Sequence, residues 1–228
     1  MSGGGSALGA ELTGGAHVIF TLRGAGNLST AAGDDIARGA ERREALASEL
    51  GVRRLCASRQ VHGTHINVVC EPVGQGAGAL PIDADGHATA LSGVAVAVLT
   101  ADCLPVAIGG RGAVAMVHAG WRGLAGGVLE QGAAAVSRLA DDGPLQAVIG
   151  PCAGACCYEV GPEVMSAFGL PAERGLIDLR AIARRRLLAA GVDSVADMGG
   201  CTICNESNFS FRREGAAAGR QAGVAWLS

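Results

Sequence analysis

A single α+β domain, with a mixed β-sheet core flanked by helices, is the fold this sequence predicts, on three observations. Apolar runs of strand length, such as residues 93–100 and 113–118, are too short for helices. Segments with helical apolar spacing, such as residues 121–139, lie between some of them. The two kinds follow one another irregularly, with no internal repeat and no linker long enough to divide the chain, so a regular alternating α/β fold is the poorer description.

The elements follow from local pattern. Val18, Phe20 and Leu22 alternate as in a strand ending near Arg23. Asp34 or Asp35 is placed to cap a helix running to Leu50, with Ile36, Ala40, Leu46 and Leu50 as apolar positions. Residues 65–70 read as a strand, and residues 72–81, rich in glycine, as a loop. The helix after Trp121 takes Leu124, Val128, Leu129, Ala133, Val136 and Leu139 on one face. Residues 147–150 read as a short strand. Residues 162–168 and 179–190 read as helices, the second with Arg184, Arg185 and Arg186 mostly on its exposed side. Residues 208–214 and 221–227 read as closing strands. The Gly/Ser run from Ser2 to Ser6 opens a tail, residues 1–15, expected to be disordered, with residues 16–228 as one domain.

Composition removes several function classes. A chain of 228 residues buries about 70% of its unfolded surface and needs no disulfides. A net charge of -3 and 3% aromatic residues argue against a nucleic-acid partner. No apolar run is long enough to span a membrane, and residues 1–10 lack the basic start and apolar core of a secretory signal. The expected location is therefore the cytoplasm, where the eight cysteines would be thiols or metal ligands.

Three residues stand out as chemistry. His62 precedes Gly63 at a strand end, Cys103 ends another strand, and His118 sits where a strand gives way to a loop and helix. Ligands at strand termini can meet at one sheet edge. Two imidazoles and a thiolate fill three tetrahedral positions and leave the fourth open, the mark of a catalytic rather than structural zinc. A cysteine after an apolar strand is more often a small buried hydrophobe, and a histidine near a turn a hydrogen-bonded core residue. Spacing alone leaves the two readings open.

Five segments, in order, carry a resemblance. They are Gln60-Val61-His62-Gly63; Thr100-Ala101-Asp102-Cys103-Leu104-Pro105-Val106; and His118-Ala119-Gly120-Trp121-Arg122-Gly123-Leu124 with Gly127-Val128. The fourth is Ile149-Gly150-Pro151 with Tyr158-Glu159-Val160-Gly161 and Glu163-Val164, and the last Phe209-Ser210-Phe211-Arg212-Arg213 with Gly219-Arg220. Together they resemble the laccase-domain, YfiH-like family, whose members are described as polyphenol oxidase, purine nucleoside phosphorylase or peptidoglycan editing factor. The resemblance implies one laccase-like domain over residues 16–228, with a fold also similar to toxin-deamidase-like cysteine hydrolases. It implies zinc, with copper as second choice, held by His62, Cys103 and His118, the same three residues being catalytic.

Other polar groups are assigned more loosely. Asp102, beside Cys103, is expected to orient a ligand imidazole; its plain reading is a turn residue. Asp85 is read either as a contact to a ribose hydroxyl or as a loop aspartate. Arg23, Arg122, Arg212 and Arg213 are candidates for phosphate, because a planar guanidinium binds it bidentately. Arg212 and Arg213, on a strand, would face opposite ways, so one of them is surface charge. Near the N-terminus the chain departs from the family: Asn27-Leu28-Ser29-Thr30 leads almost directly to Asp34, and an asparagine lining the family's site is either missing or replaced by Asn27. Cys201-Thr202-Ile203-Cys204 and the group Cys152, Cys156 and Cys157 could make a four-cysteine zinc site only if they met in space, and coincidence is the preferred reading. Cys56 and Cys70 read as small apolar residues.

The resemblance implies a metal-dependent phosphorylase for adenosine, inosine or methylthioadenosine, with adenosine deamination as a side activity. Its partners would be a small nucleoside and phosphate, with no nucleic acid or membrane, and the oligomeric state is left open. A cysteine hydrolase acting on cell-wall precursors, with Cys103 as nucleophile, uses the same residues. A copper polyphenol oxidase ranks lower, because His17, His65 and His87 suggest no second copper site. A zinc-stabilised interaction module is the non-enzymatic alternative.

Overall fold

The computed structural model of the chain describes residues 6–71 and 76–228. In chain order the strands and helices are β1 (Ala7–Leu12), β2 (Ala16–Thr21), α1 (Gly39–Glu49), β3 (Arg54–Arg59), β4 (Ile66–Val69), β5 (Gly76–Asp83), β6 (Gly86–Thr89), β7 (Val94–Thr100), β8 (Leu104–Gly110) and β9 (Ala113–Ala119). There follow α2 (Trp121–Gly126), α3 (Val128–Leu139), β10 (Gln146–Ile149), β11 (Glu159–Val160), α4 (Pro162–Ala167), β12 (Gly175–Leu176), α5 (Leu179–Ala189), β13 (Ser194–Asp197), α6 (Phe211–Glu214) and β14 (Gln221–Leu227).

Two six-stranded sheets form the body, ordered β1-β2-β14-β7-β3-β5 and β13-β10-β8-β9-β6-β4. Both are mixed: β3 runs parallel to β5 and β7, β4 to β6 and β10 to β13, and the remaining pairs are antiparallel. The class is α+β, as the irregular element order predicts.

Side-chain alternation shows how the sheets stack. On β7, Val94, Val96 and Val98 join a core with Val114 and Met116 of the other sheet, while Ala95 and Ala97 face a second core with Ala47 of α1. On β9, Ala113, Ala115 and Val117 turn the other way, onto Val128, Leu129, Ala133 and Val136 of α3. The order of layers is helix, sheet, sheet, helix. Strands buried on both faces read as continuous apolar runs, which is why β7 and β9 were legible as strands.

Several elements differ from the sequence reading. Six residues of the expected tail form β1, whose Leu8, Ala10 and Leu12 are the less exposed of its alternating positions; residues 1–5 lie outside the described residues. The glycine-rich loop expected over residues 72–81 is largely β5, paired in parallel with β3, and residues 72–75 lie outside the described residues. The helix after Trp121 is broken in two, because Gly127 takes φ 97°, a left-handed conformation that ends one helix and begins the next. Asp35 does not cap α1: its carboxylate pairs with Arg42 instead. Residues 211–214 are helical rather than extended, with the Ser210 hydroxyl accepting from the Arg213 N–H at 3.2 Å. Among the described residues no helix is long and apolar enough to cross a membrane.

Candidate functional site

His62, Cys103 and His118 come from three separate parts of the first and second sheets and meet. One ligand atom from each lies within 4.8 Å of the others. Cys103 Sγ is 3.8 Å from His62 Nε2, and the two imidazole rings stand edge to face with centroids 4.9 Å apart. His118 is the penultimate residue of β9, and Cys103 lies in the tight link from β7 to β8. His62 follows β3 on a loop tied to β7 by Gln60, whose amide exchanges two 2.8 Å bonds with the backbone of Leu99. Gly120 makes the approach feasible, since a Cβ there would lie 2.6 Å from His62 Cδ2.

The residue that assembles the trio is Asp85. It is fully buried, and its carboxylate accepts the N–H groups of Val61, His62 and Gly63 at 3.1, 2.9 and 2.7 Å. The same carboxylate lies 2.8 Å from His118 Nδ1, while the Asp85 carbonyl accepts the His118 N–H at 2.7 Å. This cage holds His62 at φ 59°, a left-handed conformation costly for a residue with a Cβ. Asp85 therefore sits behind the histidines, buried and outside the lining of the cleft. The role expected of Asp102, orienting an imidazole, belongs to Asp85. Asp102 instead accepts the Thr202 hydroxyl at 2.6 Å and the Arg212 N–H at 2.7 Å, bracing the far wall.

The electrostatics follow from these contacts. Burial would push Asp85 up, but the His118 bond and the amides of Gly63 and Val61 hold its carboxyl below the usual range. Burial would likewise raise the Cys103 thiol, yet the charge and hydrogen bonding of His118, with His62, lower it. Burial opposes charge on His118, and the Cys103 thiolate and Asp85 outweigh it and raise its pKa. Both shifts favour a thiolate beside an imidazolium, a pair in which a metal can take the place of the proton. With Nδ1 committed to Asp85, His118 keeps Nε2 for a ligand role, the carboxylate–imidazole arrangement common behind bound metals. Two imidazoles and one thiolate, with the cleft on the open side, fit a three-ligand metal site.

The trio opens into a cleft of about 650 Å³ whose lining includes Trp121, Tyr158 and Phe211. The lining holds five arginines, Arg43, Arg59, Arg122, Arg212 and Arg220, and a single acidic residue, Asp102. Arg59 is paired with Asp83 at 2.6 Å. The other four have no carboxylate within ion-pair distance among the described residues. Arg43 is held by the Leu28 carbonyl at 2.7 Å and the Thr30 hydroxyl at 3.2 Å, and Arg212 by the Glu159 carbonyl at 2.8 Å. Arg220 is held by the carbonyls of Ala218 and Gly219. Arg122 and Arg212 also lie over the rings of Trp121 and Tyr158, at 4.2 and 4.7 Å. Neutral acceptors fix Arg43, Arg212 and Arg220 without neutralising them, and burial lowers the pKa of Arg43 and Arg220.

Of the arginines singled out in the sequence, Arg122 and Arg212 reach this cleft and Arg23 and Arg213 do not. Arg23 binds the carbonyls of Glu206 and Asn208 and pairs with Glu214. Arg213 binds the carbonyls of Thr202, Ile203 and Asn208 and also pairs with Glu214. Both are consumed in fastening the 201–214 segment. Asn27 is likewise internal: it binds the carbonyls of Ala32 and Asp34 and accepts from the N–H groups of Ser29 and Arg220. Arg43 was missed because nothing near it in sequence marks a site. Arg220 was visible only as part of a motif. Two cysteine groups read as coincidental also come together: Cys156, Cys157, Cys201 and Cys204 have their sulfurs within 4.8 Å of one another.

Comparison with known proteins extends the geometry. The family described as multi-copper polyphenol oxidoreductase laccase matches residues 16–228. A protein of Xylella fastidiosa named purine nucleoside phosphorylase is 35% identical over 93% of this chain and 93% of its own. Adenosine deaminase RL5, from an unknown prokaryotic organism, is 35% identical over 85% of this chain and 84% of its own. The crystal structure of Neisseria meningitidis protein NMB0706 superposes with a TM-score of 0.82 at 33% identity, covering 98% of this chain and all of that one.

Proposed function

This chain belongs to the multi-copper polyphenol oxidoreductase laccase family, and from that premise we propose that it is a metal-dependent purine nucleoside phosphorylase, acting on adenosine, inosine or methylthioadenosine. The observation that carries the reading is the set of four arginines around the Cys103 and histidine cluster that have no carboxylate within ion-pair distance among the described residues. A cleft with that charge excess calls for an anionic reactant, and orthophosphate meets the need. Relatives named purine nucleoside phosphorylase at 34–36% identity support the same reading.

The chain's own residues divide the work. Trp121, Tyr158 and Phe211 offer flat apolar faces for a purine. Arg43, Arg212 and Arg220 would hold phosphate, Arg212 being stiffened by its carbonyl bond and its seat on Tyr158. One phosphate oxygen bonds to the anomeric carbon as the carbon–nitrogen bond breaks, and that electron pair leaves with the purine nitrogen, which then takes a proton. The barrier falls through positioning and through cations already in place where charge is spread. His62, Cys103 and His118 would hold the metal, zinc with copper as second choice, which when bound supplies Lewis acidity at the open side of the site. Asp85 keeps both imidazoles aimed without touching substrate.

A second reading has its own observation. Asp85, His118 and Cys103 form a line of carboxylate, imidazole and thiolate, which is also the arrangement of a cysteine hydrolase. Such an enzyme would need no metal; cell-wall precursors are one substrate class for it. The relative named adenosine deaminase keeps hydrolytic loss of ammonia in play as a side activity.

The test is product analysis with zinc-loaded protein and adenosine, with and without phosphate. Adenine and ribose 1-phosphate forming only with phosphate, and lost in Cys103→Ala and on chelation, is the expected result. Inosine formed without phosphate assigns deamination instead. Turnover that survives chelation but not Cys103→Ala would overturn metal dependence and favour the hydrolase.

A further inference from the structure

The second sulfur cluster lies away from the chemistry just described. Cys156 and Cys157 belong to the loop leading into β11, and Cys201 and Cys204 to the turn before α6. Cys156 Sγ is 3.5 Å from both Cys157 Sγ and Cys204 Sγ, and Cys157 Sγ is 2.7 Å from Cys204 Sγ. A zinc ion with four thiolates at about 2.3 Å sets its sulfurs roughly 3.8 Å apart. The cluster needs only a small expansion to enclose one.

The backbone around the sulfurs is shaped for thiolates. The Gly154 N–H donates to Cys201 Sγ at 3.2 Å, a bond that favours the charged sulfur. Glycine is needed there, since a Cβ at 154 would lie 3.0 Å from Cys201 Cβ and 3.4 Å from two of the sulfurs. The segment 201–205 closes as a tight turn, with the Asn205 N–H donating to the Cys201 carbonyl at 3.1 Å, so both sulfurs of the Cys-x-x-Cys pair point to one place. The two segments are already in register, with Cys152 and Cys201 forming a parallel bridge and the Thr202 N–H bonded to the Cys152 carbonyl at 3.0 Å.

We propose that Cys156, Cys157, Cys201 and Cys204 hold a zinc(II) ion of their own, in a closed four-thiolate site. All four positions are filled by protein, so the ion is structural. Binding exchanges thiol protons for the metal and leaves the sulfur oxidation state unchanged. The ion staples the loop bearing Tyr158, which lines the cleft, to the turn bearing Thr202, whose hydroxyl fixes Asp102 beside Cys103. Arg213 completes the fastening by donating to the carbonyls of Thr202 and Ile203 at 2.7 and 3.0 Å.

The experiment uses the His62→Ala, His118→Ala double variant, which disables the cleft site and keeps every cysteine. The reduced full-length protein is loaded with zinc, desalted and weighed by native mass spectrometry. One retained ion is expected, with intense sulfur-to-metal absorption when cobalt(II) replaces zinc, and loss of that ion when Cys201→Ser and Cys204→Ser are added. No retained ion in the folded double variant would overturn the proposal. So would a Cys157–Cys204 disulfide that persists under reduction, or retention of the ion in the cysteine variant. The result is independent of whether the cleft performs phosphorolysis.

Discussion

At the scale of single residues, Asp85 is the most consequential side chain that touches no substrate. Three loop amides and one imidazole converge on one buried carboxylate, so its removal leaves several buried donors unmatched at once. Breaking a buried charged pair typically costs about 3–5 kcal/mol. Asp85→Ala is expected to fall in that range by urea denaturation and to weaken zinc binding by about 10–100-fold in a competition titration, as for other residues that aim a metal's histidines. Asp102→Ala should lower stability less and leave zinc affinity near wild type. The reverse ranking would return the orienting role to Asp102. The sequence marked His62, Cys103 and His118 because each sits at a strand end and the chain has only five histidines. It misplaced the orienting aspartate because adjacency in sequence was taken for adjacency in space. Asp102 lies in the bend between β7 and β8 at φ 90°, and its carboxylate is taken by the Thr202 hydroxyl and the Arg212 N–H rather than by a histidine. Asp85, 33 residues before His118, arrives through the pairing of β6 with β9.

At the scale of elements, α6 decides which arginine meets a ligand. As a strand, residues 208–214 would set Arg212 and Arg213 on opposite faces; as a single helical turn capped by Ser210, they diverge by about 100°. The sorting is similar, one arginine toward the cleft and one into the protein, but only the helix gives Arg213 its set of carbonyls. The two alanine variants should therefore separate cleanly. Arg212→Ala is expected to raise the KM for phosphate by about tenfold or more, the loss of one charge-assisted contact, with the unfolding midpoint little changed. Arg213→Ala is expected to lower stability by about 1–3 kcal/mol, because the carbonyls of Thr202 and Ile203 lose this donor and Glu214 loses one of its two arginines. Steady-state kinetics and thermal melts on both variants check this, and equal effects would reject the division. The helix was missed because Phe209 and Phe211 bracket Ser210 in an alternation that imitates a strand, while the capping bond that decides the matter is a single hydroxyl. Gly127 shows a related blind spot: helical apolar spacing continues through it, and only its left-handed φ breaks the helix.

At the scale of the whole molecule, legibility followed apolar content more than place in the sandwich: the interior strands β3 and β8 were not read from the sequence, while the edge strand β4 was. Apolar residues run unbroken from Val94 to Leu99 in β7 and from Ala113 to Val117 in β9, whereas the edge strands β1 and β5 are rich in alanine and glycine. Stacking two sheets also buries a histidine that plays no part in the cleft. His87 on β6 lies directly opposite Met116, whose side chain is in the core between the sheets, so its ring faces that core, with Asn67 3.3 Å from its Nδ1. Burial, with a smaller contribution from the charge of His65, lowers its pKa to about 4. Between the ordinary histidine value of about 6.5 and that folded value, the unfolded chain takes up a proton that the folded chain refuses. This depressed pKa makes stability fall as pH drops, by on the order of 2 kcal/mol between pH 7 and pH 5. The raised pKa of His118 acts at higher pH, where stability is lost as its folded form gives up its proton, and the lowered carboxyls of Asp85 and Glu214 act at lower pH. Urea denaturation of wild type and His87→Gln at both pH values isolates the effect, because release of any bound metal is common to both and cancels in the difference. The variant should be less stable at pH 7 yet lose less on acidification. If the two proteins lose the same amount, His87 is protonated in the folded state, and the space between the sheets is not the dry core its neighbours imply.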